Sequence, residues 1–239
     1  MAEPTLHDWS GCDPGSFHQF HNAWIAGICR VLNNGGLPEG FDAYGERVVG
    51  PGGPDVLITE PPAPAQPQAG GVGLLEATAT HTAVDEAEQY VRRQDRLVIR
   101  GGDREVIAVT EIVSRGNKDS HARFGRLLEK AVAVIDAGAH LSVVDVHRPR
   151  SYDPRGMVDA VWEELTGQTT GLAGRSAGTV RNDGTLSLFA EEMAVGSAIP
   201  SVPLFLTPGL HVPLPLAEGY ADAWQTMPKS ERAEIEAAG

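Results

Sequence analysis

The segment from residue 105 to residue 147 constrains the fold most, because its pattern is that of a strand, an amphipathic helix and a second strand. Residues 105–113 and 140–147 are short runs rich in Val and Ile, which is typical of buried strands. Between them, residues 119–137 repeat apolar side chains every three or four positions, and Gly138 follows where a left-handed helix cap is expected. This order favours two parallel strands joined by a crossover helix. The sequence therefore predicts an α/β or α+β fold.

The rest of the chain adds helices, short strands and loops around this unit. An apolar stripe predicts a helix over about 16–34, and a Pro/Gly-rich stretch predicts an exposed loop at 61–71. We interpret residues 1–239 as one domain with an insertion at about 61–94 and a C-terminal extension from about 170. Further short elements are expected as strands at 41–49, 54–59, 96–100 and 185–189, a helix at 157–165, an extended Pro-rich run at 199–215 and a closing helix near 220–224.

Charge and composition limit the classes of function. The net charge of −13 argues against indiscriminate nucleic-acid binding. Residues 92–155 nevertheless hold 13 Lys and Arg against 9 acids, so an anionic ligand or nucleic acid is a partner to consider at this segment. The alternative is an ordinary solvated helix face together with a hairpin. Two cysteines without metal spacing and no apolar stretch of membrane-spanning length predict a cytoplasmic protein that does not enter a membrane.

Two short motifs carry little weight. Residues 174–178 match the Gly-x-Ser-x-Gly pattern of serine hydrolases, but the pattern lacks a preceding apolar strand, and we interpret it as a glycine loop. His18 and His21 have a spacing that a metal permits, but they lie among aromatic residues without an evident third ligand. A structural role for both histidines is the simpler interpretation.

Two carboxylates form the stronger candidate site. Asp55 follows Pro54 at the start of one predicted strand, and Glu111 lies near the carboxyl end of the strand that begins the crossover. Ligands of open α/β sheets gather beyond such strand ends. Two acids brought together there would need a hard cation such as Mg²⁺, which prefers oxygen ligands. The alternatives are a turn residue for Asp55 and a solvent-facing position for Glu111.

Basic residues near Glu111 complete the arrangement. A lysine beside a metal-bound water suits hydrolysis of a phosphodiester, and Lys118 or Lys130 could supply it. Arg123 and Arg126 share one helix face with Lys130 and could contact phosphate.

At these residues the chain resembles the restriction-endonuclease-like PD-(D/E)xK superfamily, and more narrowly the bacterial family called domain of unknown function four thousand and fifty-eight. The resemblance covers most of the chain except the insertion and the tail, in the stretches 17–49, 54–58, 106–118, 127–149 and 199–224. It implies a mixed sheet flanked by helices, with a Pro-rich C-terminal extension. The likeness to the superfamily, rather than to the narrower family, also implies a Mg²⁺-dependent nuclease site.

In the superfamily pattern, the metal-binding acids correspond to Asp55 and Glu111, with Glu46 as an accessory ligand. The pattern expects a lysine two residues after the second acid, but residue 113 is Val. In related nucleases the lysine lies on the following helix, eight residues before an Ala-Gly break, and Lys130 has this spacing to Gly138. Because the strand lysine is missing, the alternative to an enzyme is a non-catalytic binding or assembly module, whose partner is another copy of the chain in a homo-oligomer or a different protein.

Overall fold

The computed structural model describes residues 4–45, 56–60, 81–85 and 105–238. Within these ranges the protein is an α+β fold, in which helices pack on both faces of a mixed β-sheet. The helices are α1 (Pro14–Val31), α2 (His121–Asp136), α3 (Met157–Thr166), α4 (Leu216–Thr226) and α5 (Lys229–Ala238).

The main sheet contains seven strands in the order β1-β2-β4-β5-β6-β7-β3. They are β1 (Asp42–Tyr44), β2 (Val56–Glu60), β3 (His81–Asp85), β4 (Glu105–Ile112), β5 (His140–Asp145), β6 (Arg175–Asn182) and β7 (Leu186–Met193). Only β4 and β5 run parallel among the described strands, and α2 connects them. The predicted crossover is therefore confirmed.

The start and end of each crossover element follow from local chemistry. The Ser120 side chain accepts a hydrogen bond from the Arg123 amide at the start of α2. After α2, Gly138 has φ +88°, a left-handed conformation that favours glycine. All six residues of β5 are buried, as expected for a central strand covered on both faces.

Helices α1 and α4 cover one face of the sheet and share an aromatic cluster. The Asp13 side chain caps α1 through the Gly15 amide at 2.8 Å, and Pro14 occupies its first turn. The Trp24 indole N–H donates to the Leu216 carbonyl oxygen at 2.9 Å. The cap fixes where α1 begins, and the Trp24 contact fixes the helix relative to the C-terminal part of the chain.

The opposite face of the sheet is covered by α2 and α3. Their apolar residues Phe124, Leu127, Val161 and Trp162 pack with strand residues such as Val143. These two separate cores mean that alternate residues of β4 and β5 point to different helix layers.

Several expectations change at the C-terminal half. Residues 174–178 were expected as a glycine loop, but Arg175–Asn182 is strand β6, which forms a hairpin with β7. The Pro-rich run is extended as expected, and it folds into a second, two-stranded sheet of β8 (Pro203–Thr207) and β9 (Leu210–Pro213). Both segments form strands because their apolar residues are buried, as Ala177, Leu204 and Phe205 in the core show.

Other expected elements differ in their bounds or lie elsewhere. The first helix ends at Val31 rather than 34, because a wider helical turn over Leu32–Gly36 follows and Gly35 has φ +107°. Strand β3 lies inside the predicted insertion and pairs with β7. The predicted strand at 96–100 lies outside the described residues. No helix in the described ranges is long and apolar enough to cross a membrane.

Candidate functional site

The site lies where β4 and β5 end side by side. Because the two strands are parallel, the segments that leave them begin at the same edge of the sheet. The Val113 amide donates to the Val144 carbonyl oxygen at 2.8 Å, so this alignment continues beyond the end of β4. Two groups of charged side chains occupy this edge.

The first group is a pair between Glu111 and Lys130. Glu111 lies on β4 opposite Val143 of β5, and it shares the α2 side of the sheet with Val109. Lys130 lies on the third turn of α2, and its Nζ donates to Glu111 Oε2. The carboxylate side chain is 9% exposed and that of the lysine 16% exposed, so the pair is reachable from solvent. The structure thus brings together Glu111 and Lys130, two of the candidate residues identified from the sequence.

Apolar side chains surround this pair. Leu127, Ala131, Val134 and Val143 line the same small pocket as Glu111 and Lys130. A charged pair in such surroundings is less screened by water and salt than a surface pair. The arrangement therefore holds one carboxylate and one ammonium in a defined geometry at the sheet edge.

The second group joins Lys118 to Asp145 and Asp153. Lys118 follows β4 in the short helical turn Arg115–Lys118, and its Nζ lies 2.7 Å from Asp145 Oδ2 and 2.6 Å from Asp153 Oδ2. The side chains are 1%, 0% and 0% exposed. Lys118 is thus directed to these two acids and forms the centre of a buried three-residue ion cluster.

Asp145 also organises the backbone around it. Its carboxylate accepts hydrogen bonds from the amides of His147 at 3.0 Å and Met157 at 3.1 Å. Met157 is the first residue of α3, so a strand residue caps a helix that begins twelve residues later. Burial raises the pKa of Asp145, although Lys118 and the His147 amide act in the opposite direction.

Gly156 explains how the chain enters α3 beside this cluster. It has φ +96°, and a β-carbon at this position would lie 2.1 Å from the Gly174 carbonyl oxygen. Only glycine fits both restraints. The contacts of Asp145 are therefore those of a partner for the following turn and helix.

The two arginines predicted to contact phosphate lie on the exposed surface of α2. Arg123 forms an ion pair with Asp119 at 3.2 Å, and Arg126 is also exposed. Neither arginine is part of the Glu111–Lys130 contact, but both belong to the same helix as Lys130.

The remaining candidates either have structural contacts or lie outside the described residues. His21 is buried and its Nε2 is 2.8 Å from the Ile112 carbonyl oxygen, while His18 contacts Asn22. Asp55 and Glu46 lie outside the described residues. Val56, which follows Asp55 in the chain, is paired with Thr110, the residue before Glu111. Groups of three or more side chains able to hold a metal are absent from the described part of the chain.

Sequence reasoning missed a cationic cavity at the same edge. Arg148 and Arg175 both contact Asp8, at 2.6 Å and 3.1 Å, and they lie near Arg115 and Arg150 around a cavity of about 290 Å³. The basic segment 92–155 contains three of these arginines, but Arg175 comes from β6, far along the chain. Only the fold brings Arg175 and Asp8 to the others.

Comparisons with known proteins add no identification, since no protein-family model, no curated protein and no solved structure matches this chain.

Proposed function

We propose that the chain is a Mg²⁺-dependent nuclease with a restriction-endonuclease-like fold, in which Asp55 and Glu111 hold the metal. The observation that carries this proposal is the contact between Glu111 on β4 and Lys130 on α2. An acid on a strand and a lysine on the following helix match the resemblance described above. The position of Val56 beside Thr110 supports the same site, because Asp55 precedes Val56 in the chain.

The donor chemistry suits a hard cation. Glu111 would supply one oxygen ligand, and Asp55 and the accessory Glu46 would supply the others. When bound, Mg²⁺ supplies Lewis-acid polarisation of a phosphoryl oxygen. The Lys130 ammonium beside Glu111 would orient an attacking water and offset the negative charge that develops on the phosphate. Arg123 and Arg126 on exposed turns of α2 would contact the nucleic-acid backbone.

Lys118 receives a structural role in this proposal. Its Nζ is already directed to two buried carboxylates, whereas Lys130 contacts the candidate metal ligand itself. We therefore assign the water-orienting function to Lys130.

The test compares cleavage by the parent protein with cleavage by Glu111→Gln and Lys130→Met. Substrates are duplex DNA and single-stranded RNA with 5′-hydroxyl ends, in Mg²⁺ or Mn²⁺. Each variant is expected to lose activity at least about 100-fold, the usual contribution of a proton-transfer or water-orienting group. Glu129→Gln is the matched control, because Glu129 precedes Lys130 on α2 but is exposed. A parent protein that cleaves neither substrate, or a Glu111→Gln variant with parental activity, overturns the proposal.

A second function is favoured by the residue at position 113. Val113 is fully buried where the superfamily pattern has lysine, which fits a non-catalytic binding module on the same fold. Calorimetry with Mg²⁺ distinguishes the two functions, with Asp55→Asn as the variant. Metal binding that disappears in this variant supports the nuclease, and absence of binding by the parent at millimolar metal favours the binding module.

A further inference from the structure

The cationic cavity is separate from the Glu111–Lys130 pair in the side chains that form it. Its walls come from four parts of the chain: the segment before α1, the turn after β4, the segment after β5 and the start of β6. Five cations line it, namely Arg115, Lys118, Arg148, Arg150 and Arg175. A cavity assembled from such distant segments is defined by the tertiary structure rather than by a mobile surface loop.

The charges around the cavity do not balance. Asp8 contacts Arg148 and Arg175, while Asp145 and Asp153 contact Lys118. Five cations therefore face three contacting carboxylates among the described residues, which leaves a formal charge of +2. The Arg150 guanidinium is exposed and makes no ion pair or hydrogen bond within the described ranges. An anionic ligand would offset this excess of positive charge.

His147 forms part of the wall of the same cavity. Its side chain lines the cavity and is 6% exposed, yet its Nε2 is buried without a hydrogen-bond partner in the described part of the chain. The imidazole packs edge-on against Phe17, with ring centroids 4.5 Å apart. Burial and the neighbouring cations lower the pKa of His147 to about 3, so the ring is neutral at pH 7. A neutral ring in the wall leaves the cations as the groups that an anionic ligand would contact.

We propose that this cavity binds a phosphate monoester in its dianionic form. Two negative charges match the formal excess of +2, and guanidinium groups bind phosphate oxygens in a bidentate manner. The volume of about 290 Å³ is close to the lower end for small-molecule pockets, roughly 300 Å³, and it leaves room for a sugar beside the phosphate.

Asp8 prepares the cavity for such a ligand. Its carboxylate holds Arg148 and Arg175 together, and Arg175 Nε also donates to the Val146 carbonyl oxygen at 2.9 Å. Arginines that are already oriented lose less conformational freedom on binding. Arg150, which lacks such contacts, remains available to close on the phosphate. This binding site does not depend on the proposed nuclease activity.

The test measures binding by the full-length protein with titration calorimetry, using inorganic phosphate, ribose 5-phosphate and two short oligonucleotides. One oligonucleotide carries a 5′-phosphate and the other a 5′-hydroxyl. Arg150→Gln is the main variant, because the exposed Arg150 side chain makes no ion pair or hydrogen bond among the described residues. Its replacement should therefore leave folding unchanged. Loss of one charge-assisted contact is expected to weaken ribose 5-phosphate binding about tenfold or more. Arg30→Gln is the control, since Arg30 is an exposed arginine of α1 paired with Asp222.

The outcomes separate the sources of the phosphate. Binding of ribose 5-phosphate that Arg150→Gln weakens and Arg30→Gln retains supports the proposal with a small ligand. Binding of only the 5′-phosphorylated oligonucleotide, again weakened by Arg150→Gln, supports it with a nucleic-acid end. Equal binding of both oligonucleotides, no binding of any probe at millimolar concentration, or binding unchanged in Arg150→Gln overturns it.

Discussion

Replacing Lys118 by methionine tests whether the buried ion cluster is a stability element. The change keeps a long unbranched side chain and removes the only positive charge in contact with Asp145 and Asp153 within the described structure. Both carboxylates are 0% exposed, so water cannot replace the lost ammonium without opening the structure. Removing one partner of such a buried pair leaves an uncompensated charge and costs about 3–5 kcal/mol of unfolding free energy.

The same variant has a defined pH dependence. The positive charge of Lys118 lowers the pKa of Asp145, which burial raises, so the pKa of this carboxyl rises further in Lys118→Met. Between the ordinary pKa of 3.8 and the raised value, the native state binds more protons than the unfolded state. Stability of the variant therefore falls as pH rises through this range. We expect the loss relative to the parent to be larger at pH 8 than at pH 5.

Urea unfolding followed by tryptophan fluorescence measures both effects. Trp162 lies on α3, the helix whose first amide donates to Asp145, so its emission reports on this layer. Lys229→Met is the control, because Lys229 is exposed and its replacement should change the unfolding free energy by less than about 0.5 kcal/mol. A loss below about 1 kcal/mol in Lys118→Met, or a loss independent of pH, would refute the reasoning.

Two further predictions concern other parts of the protein. Burial lowers the pKa of His140 to about 4 and of His147 to about 3, from 6.5, so the unfolded state binds more protons below pH 6.5 and stability falls as pH decreases from there towards these values. For His147 the loss between pH 7.5 and 5.5 is about 1 kcal/mol, and a His147→Gln variant with the parent's pH slope would contradict this origin. Gly219→Ala is expected to lose about 1–3 kcal/mol in thermal or urea unfolding by overpacking. The reason is that a β-carbon there would lie 2.7 Å from Ile28 Cγ1 and 3.0 Å from its backbone nitrogen. Gly125→Ala has open space and should be neutral or slightly stabilising, and equal effects of the two changes would count against close packing of α1 and α4.

Local patterns predicted the elements whose burial is periodic. The stripe over 119–137 and the apolar runs on either side correspond to α2, β4 and β5, and Gly138 has the left-handed backbone expected of a cap. The glycine-containing stretch 174–178 was assigned wrongly, because its small residues resemble a loop when considered alone. In the folded protein, Gly178 faces Val158 and Ala190, so a side chain would not fit there.

In the candidate site too, the sequence predicted the residue types, and the fold decided their partners. Charge and spacing identified Glu111, Lys118 and Lys130 as candidate site residues. They left open which of the two lysines lies beside Glu111. The fold directs Lys130 to Glu111 and Lys118 to Asp145, because α2 returns over β4 while the turn before α2 reaches the end of β5.

The sequence by itself determined the strand–helix–strand unit and the acidic and basic regions of the chain, since periodic burial and charge are local properties. Tertiary structure alone decided that Asp8, Arg148 and Arg175 meet at one cavity. These residues come from segments separated by 140 and 167 positions, and no local rule specifies which of the many available ion pairs forms. The two cores on either face of the sheet fix where those segments end, and the charged side chains at the ends then select their partners by proximity.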